Sequence, residues 1–329
     1  MRILSLDGGG YLGLATAAFL QEAERHFRTT CHERFDLFCG TSTGAIIALA
    51  LASGMTAGAV GELYRDFGQK VFRNRFPGSR TLRVFRGFLV SRYSNHALKK
   101  ALRDTFGDLT LGDLRSKGKF VLIPAFSITN GKPRIFKTNH APHLTRDDGY
   151  LVREVALASS AALVYLPIVQ LRSPTNGYEE RYCDGGVFAN HPALIAYAEA
   201  IYHLHVQSCE VQILSVSTPR ADLAEHESPA GLLQRFLLSR GVIGWGTKVG
   251  SVFIDATSGI ADQTLRRLVA PLYGFGALFQ RIVLHRPPSV AMDIATLQAT
   301  EILQRIGAER AAVEETRQQL QPFFEDVGD

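Results

Sequence analysis

The pentapeptide Gly40-Thr41-Ser42-Thr43-Gly44 sets a serine between two glycines. Glycines on both sides let a chain turn sharply from a strand into a helix, which lifts the serine hydroxyl clear of a sheet and makes it available as a nucleophile. The flanks suit that geometry. Phe35 to Cys39 reads as a strand, and Ala45 to Ala52 as a helix apolar on every side, hence a core helix. The N-terminal dipole of that helix points at Ser42 and favours negative charge there. The plain alternative is a tight turn with an incidental serine.

Two further glycine clusters follow predicted strands. Asp7-Gly8-Gly9-Gly10 comes after Ile3 to Leu6, and three consecutive glycines let backbone N–H groups converge on an anion, as an oxyanion hole requires. Gly8, Gly10 and Gly13 also satisfy the G-x-G-x-x-G spacing of a dinucleotide site, with Asp36 near the place of a ribose-binding acid. Against that, Asp7 would set a carboxylate beside the pyrophosphate. A structural turn is the third reading. Asp184-Gly185-Gly186 follows a short strand, Arg181 to Cys183, and by itself is a common turn.

Taken in order, Asp7 to Gly13, Gly40 to Gly44 and Asp184 to Gly186 resemble the patatin-like phospholipase family, as do Ala158-Ser159-Ser160-Ala161-Ala162 and Val187-Phe188-Ala189-Asn190-His191-Pro192. The resemblance covers about residues 1 to 217. It implies a Ser-Asp dyad, with Ser42 as nucleophile and Asp184 as general base, and an oxyanion held by the N–H groups of Gly8, Gly9 and Gly10. The implied reaction is hydrolysis of a glycerophospholipid or related acyl lipid through an acyl-enzyme, without a cofactor. Leu12 departs from the family, which usually has Arg or Lys there. Tyr93-Ser94-Asn95, Phe106-Gly107-Asp108, the run from Gly131 to Thr138 and Ala291-Met292-Asp293 are similar to bacterial antiphage (CBASS-type) phospholipases switched on by cyclic oligonucleotides. That narrower resemblance implies a cyclic-oligonucleotide activator.

The elements that must position these residues alternate. Strands at Ile3–Leu6, Phe35–Cys39, 120–126, 134–137, 181–183 and 211–216 interleave with helices at 12–27, 45–52, 153–162 and 191–202. This pattern predicts a three-layer α/β fold with a mostly parallel central sheet. The expected organisation is a catalytic core over 1–217 and a C-terminal helical part over 218–329 packed on it, with a loop at 219–229 and helices at 230–269 and 291–321.

Composition leaves this reading room. Apolar residues are 46% and charged residues 20% of 329, an ordinary globular balance. The longest apolar run, Ala45 to Ser53, is too short to span a bilayer, and Met1 to Leu6 has no room for a secretory signal. The expectation is a cytoplasmic protein, peripheral at the inner membrane when active. Cys31, Cys39, Cys183 and Cys209 lack C-x-x-C pairing and read as reduced thiols, and no His/Cys/Asp/Glu spacing suggests a metal. His191, His203, His205, His226 and His285 follow Asp184, so an α/β-hydrolase triad remains open by residue type, although Ser42 follows only the second strand. Between Arg65 and Arg103 lie eleven of the 36 basic residues and one of the 31 acidic ones, so the rest of the chain is slightly acidic. Arg73, Arg75, Arg83, Arg86 and Arg92, with Tyr93, are candidate contacts for anionic lipid or for the phosphates and a base of a cyclic oligonucleotide. The expected partners are a phospholipid surface, that activator and a second copy of the chain, but no nucleic acid polymer. A constitutive lipase, a nucleotide-binding oxidoreductase and a non-enzymatic membrane-binding module are the rival functions.

Overall fold

A computed structural model describes residues 1–72, 91–141, 143–220, 248–287 and 289–325. Arg73, Arg75, Arg83 and Arg86, the expected loop at 221–229, His226 and the helix expected over 230–247 lie outside the described residues.

Among the described residues eight strands form one sheet: β1 (Arg2–Leu6), β2 (Leu37–Gly40), β3 (Phe120–Ser127), β4 (Lys132–Lys137), β5 (Val169–Arg172), β6 (Glu179–Asp184), β7 (Gln212–Val216) and β8 (Leu278–Ile282). Their order is β5-β6-β3-β2-β1-β7-β8, with β4 also paired to β3. The run β3-β2-β1-β7-β8 is parallel throughout, while β4, β6 and β5 join antiparallel.

Alternate residues of the parallel strands feed two cores, as the period-two geometry of a strand requires. Leu4, Leu6, Phe38, Val121, Ile123, Leu214 and Val216 pack on one face. Ile3, Leu37, Cys39, Leu122 and Ile213 pack on the other. Helices cover both faces, which gives the three layers.

The first face holds α1 (Gly13–Phe27), α3 (Thr43–Ser53), α4 (Ala57–Val71), α5 (His96–Phe106) and α7 (Val152–Ser159), with the four-residue α2 (Cys31–Arg34) and α6 (Leu111–Ser116) between them. Every residue of α3 from Thr43 to Ala52 is buried, and Gly54 stops it in a left-handed conformation, φ 105°. The second face holds α9 (Ala193–Tyr202) and α10 (Lys248–Val269); the single turn α8 (Gly186–Ala189) precedes α9.

Beyond residue 217 the chain is not wholly helical. β8 extends the central sheet by pairing parallel to β7, Gln212 through Val216 against Leu278 through Ile282. The segment at 291–321, expected as a closing helix or helix pair, is a pair, α11 (Leu297–Ala312) and α12 (Glu314–Phe324). A Cβ on Gly307 of α11 would run into the Ala15 carbonyl, so this glycine lets α11 lie directly against α1.

Candidate active site

The site forms at the carboxyl ends of β1 and β2, where parallel sheets commonly bind ligands. β2 ends at Gly40, and the chain turns at Ser42 into α3. Ser42 has φ 56° and ψ −120°, a conformation L residues rarely adopt. The flanking glycines allow close approach rather than positive φ. A Cβ on Gly40 would meet the Gly44 carbonyl, and one on Gly44 would meet that of Leu6.

Two serines clamp the strained residue. The Ser42 N–H donates to Ser159 Oγ at 3.0 Å, and Ser159 donates on to the Pro124 carbonyl at 2.7 Å. Ser160 Oγ donates to the Ser42 carbonyl at 3.1 Å. Strain of about 1–3 kcal/mol persists only where the surroundings over-determine it, and these bonds do so. Neither serine had a role in the sequence reading beyond its place in the Ala158–Ala162 stretch.

Asp184 closes β6, opposite Ala125 of β3, and is 6% exposed. Its Oδ1 accepts the Gly186 N–H at 2.6 Å. Burial pushes its carboxyl up to about 6, against the opposing pull of hydrogen bonds from the Ser42 side chain and the Gly186 N–H. Ser42 and Asp184, 142 positions apart in sequence, therefore meet. A carboxylate of this kind, ionised at neutral pH but markedly more basic than usual, can accept a hydroxyl proton.

The glycine loop after β1 divides its donors. The Gly8 N–H already donates to the Asn190 carbonyl at 3.3 Å, so in this conformation Gly8 has no free donor for an oxyanion. Among the described residues the N–H groups of Gly9 and Gly10 have no hydrogen-bond partner, and neither has that of Thr43 at the start of α3. Gly10 is left-handed, φ 58°, and the Met292 carbonyl fills the space where its Cβ would lie. That carbonyl also accepts the Tyr11 N–H at 2.8 Å. Gly13 permits Thr43 to pack against α1, and Gly185 lies against the Pro124 carbonyl.

Asp7 serves the fold. Its carboxylate is fully buried against Arg281 of β8 and accepts from Arg220 at 2.9 Å. Burial alone would raise it, but the Arg281 guanidinium, with His191 and Arg220, holds it below the usual carboxylate range. Leu12, where a cation was expected of the family, is buried in the core.

The histidines stand apart. His191 is buried between β7 and α10, with Nε2 2.9 Å from Ser215 Oγ and Nδ1 3.4 Å from the Ser258 carbonyl. Burial and then Arg281 depress it to about 4, so it is neutral at physiological pH. No histidine lines the cavity that holds Ser42 among the described residues, and no group of His, Cys, Asp and Glu there could hold a metal.

That cavity is apolar and tight, about 50 Å³, against roughly 300–1,000 Å³ for typical ligand sites. Ile46, Phe67, Phe72, Leu98, Tyr165 and Met292 line it. Its wall joins two distant sequence motifs: Tyr93 OH donates to Asp293 at 3.0 Å, and Arg92 pairs with the same carboxylate at 2.7 Å. Tyr93, a candidate for stacking on a base, is 2% exposed and its ring packs edge-on against Phe72 at 5.6 Å. Burial, then the Asp293 carboxylate, raises its hydroxyl well above the usual tyrosine range. It is thus a structural donor in this conformation, and Arg92 is the half-exposed cation beside it.

The model of the family described as "Patatin-like phospholipase" matches residues 4–197. A "cGAMP-activated phospholipase" of Pseudomonas aeruginosa is 31% identical over 82% of this chain and 76% of its own length. One of the same name from Vibrio cholerae is 34% identical over 66% of this chain and 64% of its own. "Patatin-like protein 2" of Arabidopsis thaliana is 26% identical over 93% of this chain and 82% of its own. With the glycine loop, the Ser42 turn and Asp184 falling in that order inside the matched span, the chain belongs to the patatin-like phospholipase family.

Proposed function

We propose that the protein is a lipid acyl hydrolase that cleaves acyl esters of membrane phospholipids, and that a cyclic oligonucleotide switches it on in bacterial antiphage defence. The observation that carries the chemistry is Ser42, held in a strained turn with a buried, unusually basic Asp184 as its partner.

Asp184 takes the proton of Ser42 Oγ as that oxygen attacks the acyl carbonyl. The tetrahedral oxyanion is stabilised by the N–H groups of Gly9, Gly10 and Thr43 and by the N-terminal dipole of α3. Gly8 would join them only if its bond to Asn190 were released. Collapse of the intermediate passes the proton from Asp184 to the leaving alkoxide and leaves the acyl group on Ser42. Water, deprotonated by Asp184, then attacks the acyl-enzyme, releases the fatty acid and returns the proton to Ser42. A dyad without histidine suits a leaving alcohol, because Asp184 need only shuttle one proton.

The names of the bacterial relatives support control by a cyclic nucleotide. The cavity supports it physically, since about 50 Å³ is too small for a fatty acyl chain and must enlarge before lipid enters. Met292 lies against Gly10 and lines the cavity together with Asp293, so their displacement is the simplest opening. A ligand achieves this only by binding the open form more tightly. The basic segment that begins near Arg65 supplies candidate phosphate contacts, and assembly of two or more copies would bring a second such segment to the ligand. We assign residues 1–217 to the catalytic core. The segment 218–329 supplies β8, the α11–α12 cover and the pocket wall. The enzyme acts from the cytoplasmic side, peripheral at the inner membrane.

Labelling with a fluorophosphonate tests the nucleophile directly. The expected result is one adduct, mapped to Ser42, formed faster after cyclic GMP–AMP is added. A adduct on another serine, or none under either condition, would remove the assignment.

A further inference from the structure

No helix among the described residues is long and apolar enough to cross a membrane, so bilayer lipid must be reached from a docked surface. Resting on the phospholipase reading, we infer that the turn over residues 163–168 is the surface that docks on a phospholipid bilayer and feeds the Ser42 cavity.

Three large apolar side chains stand out to solvent here: Leu163 at 50%, Val164 at 70% and Ile168 at 49% exposed. The same turn turns Tyr165 and Leu166, together with Ala162, inward to line the cavity. The pair Leu163-Val164 thus faces solvent and the next pair, Tyr165-Leu166, faces the acyl pocket, across one chain thickness. The turn is rooted in the catalytic framework, because the Asp184 N–H donates to the Ala161 carbonyl at 3.0 Å.

Val164 sits at the apex with φ 71°, a left-handed conformation that suits glycine or asparagine and strains a β-branched residue. It is held there by the Arg92 N–H, which donates to its carbonyl at 2.9 Å, and by the Tyr93 N–H donating to Tyr165 O at 2.8 Å. Solvent exposure gives no reason to keep valine in that place. Insertion of the apex into the hydrocarbon boundary does, because burying such a side chain recovers its hydrophobic transfer free energy. Arg92 adds a half-exposed guanidinium next to the apex, where anionic headgroups would lie.

The test is co-sedimentation of wild type, Leu163→Asp and Val164→Asp with vesicles of phosphatidylethanolamine and phosphatidylglycerol, with and without cyclic GMP–AMP. Aspartate tolerates the left-handed region better than valine, so Val164→Asp keeps the fold. Each variant is expected to bind vesicles about tenfold more weakly or worse, while cleaving a water-soluble short-chain ester within about twofold of wild type. Tryptophan fluorescence of Val164→Trp, corrected for wild type, should be quenched by bromine-labelled acyl chains. Wild-type affinity in both aspartate variants, or no vesicle binding by wild type under either condition, would overturn the docking surface. Vesicle binding lost on substitution in a protein that cleaves neither substrate would uphold the surface and defeat the hydrolase reading instead.

Discussion

Asp184 does its proposed work as a base only while ionised, and burial places that ionisation at about 6. Ester hydrolysis should therefore fall tenfold per pH unit as pH drops below about 6, with one proton taken up. The same shift has a stability sign. The carboxyl binds its proton more tightly folded than unfolded, where a free aspartate titrates at about 3.9, so stability declines as pH rises between the two values. Asp184→Asn should thus melt higher than wild type at about pH 8, while its advantage vanishes near about pH 4. Thermal melts across that range, beside a pH–rate profile, check both. A rate profile flat down to about pH 4 would deny Asp184 its role as base. At this scale the sequence was informative because Gly10, Gly40, Gly44 and Gly185 each mark a place where backbone must approach backbone. It was silent on Ser159 and Ser160 as clamps, whose bonds to Ser42 join residues 117 and 118 positions apart. It also could not divide the three loop glycines, since the partner of Gly8 is a carbonyl 182 residues away.

The elements around the pocket are joined by contacts that no local pattern encodes. Alternation of strand and helix is a local signal, and it placed β1, β2, β3, β7 and α3 within a few residues. The five-residue β8 was hidden among helical segments, because Leu-Phe-Gln-Arg-Ile is too short to set its own period. Tyr93-Ser94-Asn95 and Ala291-Met292-Asp293 resembled one subfamily without a stated reason to be linked. Folding brings them together at Asp293, 200 positions from Tyr93. If this contact holds the Met292 segment against Gly10, loosening it should open the cavity. Asp293→Asn, which keeps the shape and removes the ion pair with Arg92, should raise hydrolysis measured without nucleotide by about fivefold or more and reduce the further gain on adding it. Unchanged basal and stimulated rates would mean that the pocket opens elsewhere.

The whole molecule is tied from end to end. Arg281 of β8 forms its buried pair with Asp7, 274 positions away, and α11 lies against α1 through Gly307. The C-terminal third therefore completes the first strand's core rather than adding to a finished one. Arg281→Met should cost about 3 kcal/mol, the low end for breaking a buried pair because Arg220 still reaches Asp7. Thermal melting should shift downward as a single transition. Two separated transitions would make residues 218–329 an independent unit. A strongly basic segment was visible in composition, but charge density alone does not distinguish a membrane from a phosphate ligand.

Nucleotide-gated phospholipid hydrolysis by Ser42 can be tested directly. The most direct measurement is release of fatty acid from phosphatidylglycerol vesicles by wild type and Ser42→Ala, each with and without a panel of cyclic di- and trinucleotides. Low release by wild type alone is expected, with an increase of about tenfold or more on adding one of the nucleotides and a loss of about three orders of magnitude in Ser42→Ala under every condition. Full wild-type release without any nucleotide, unchanged by each addition, would contradict the gating. Equal release by Ser42→Ala would contradict the mechanism itself.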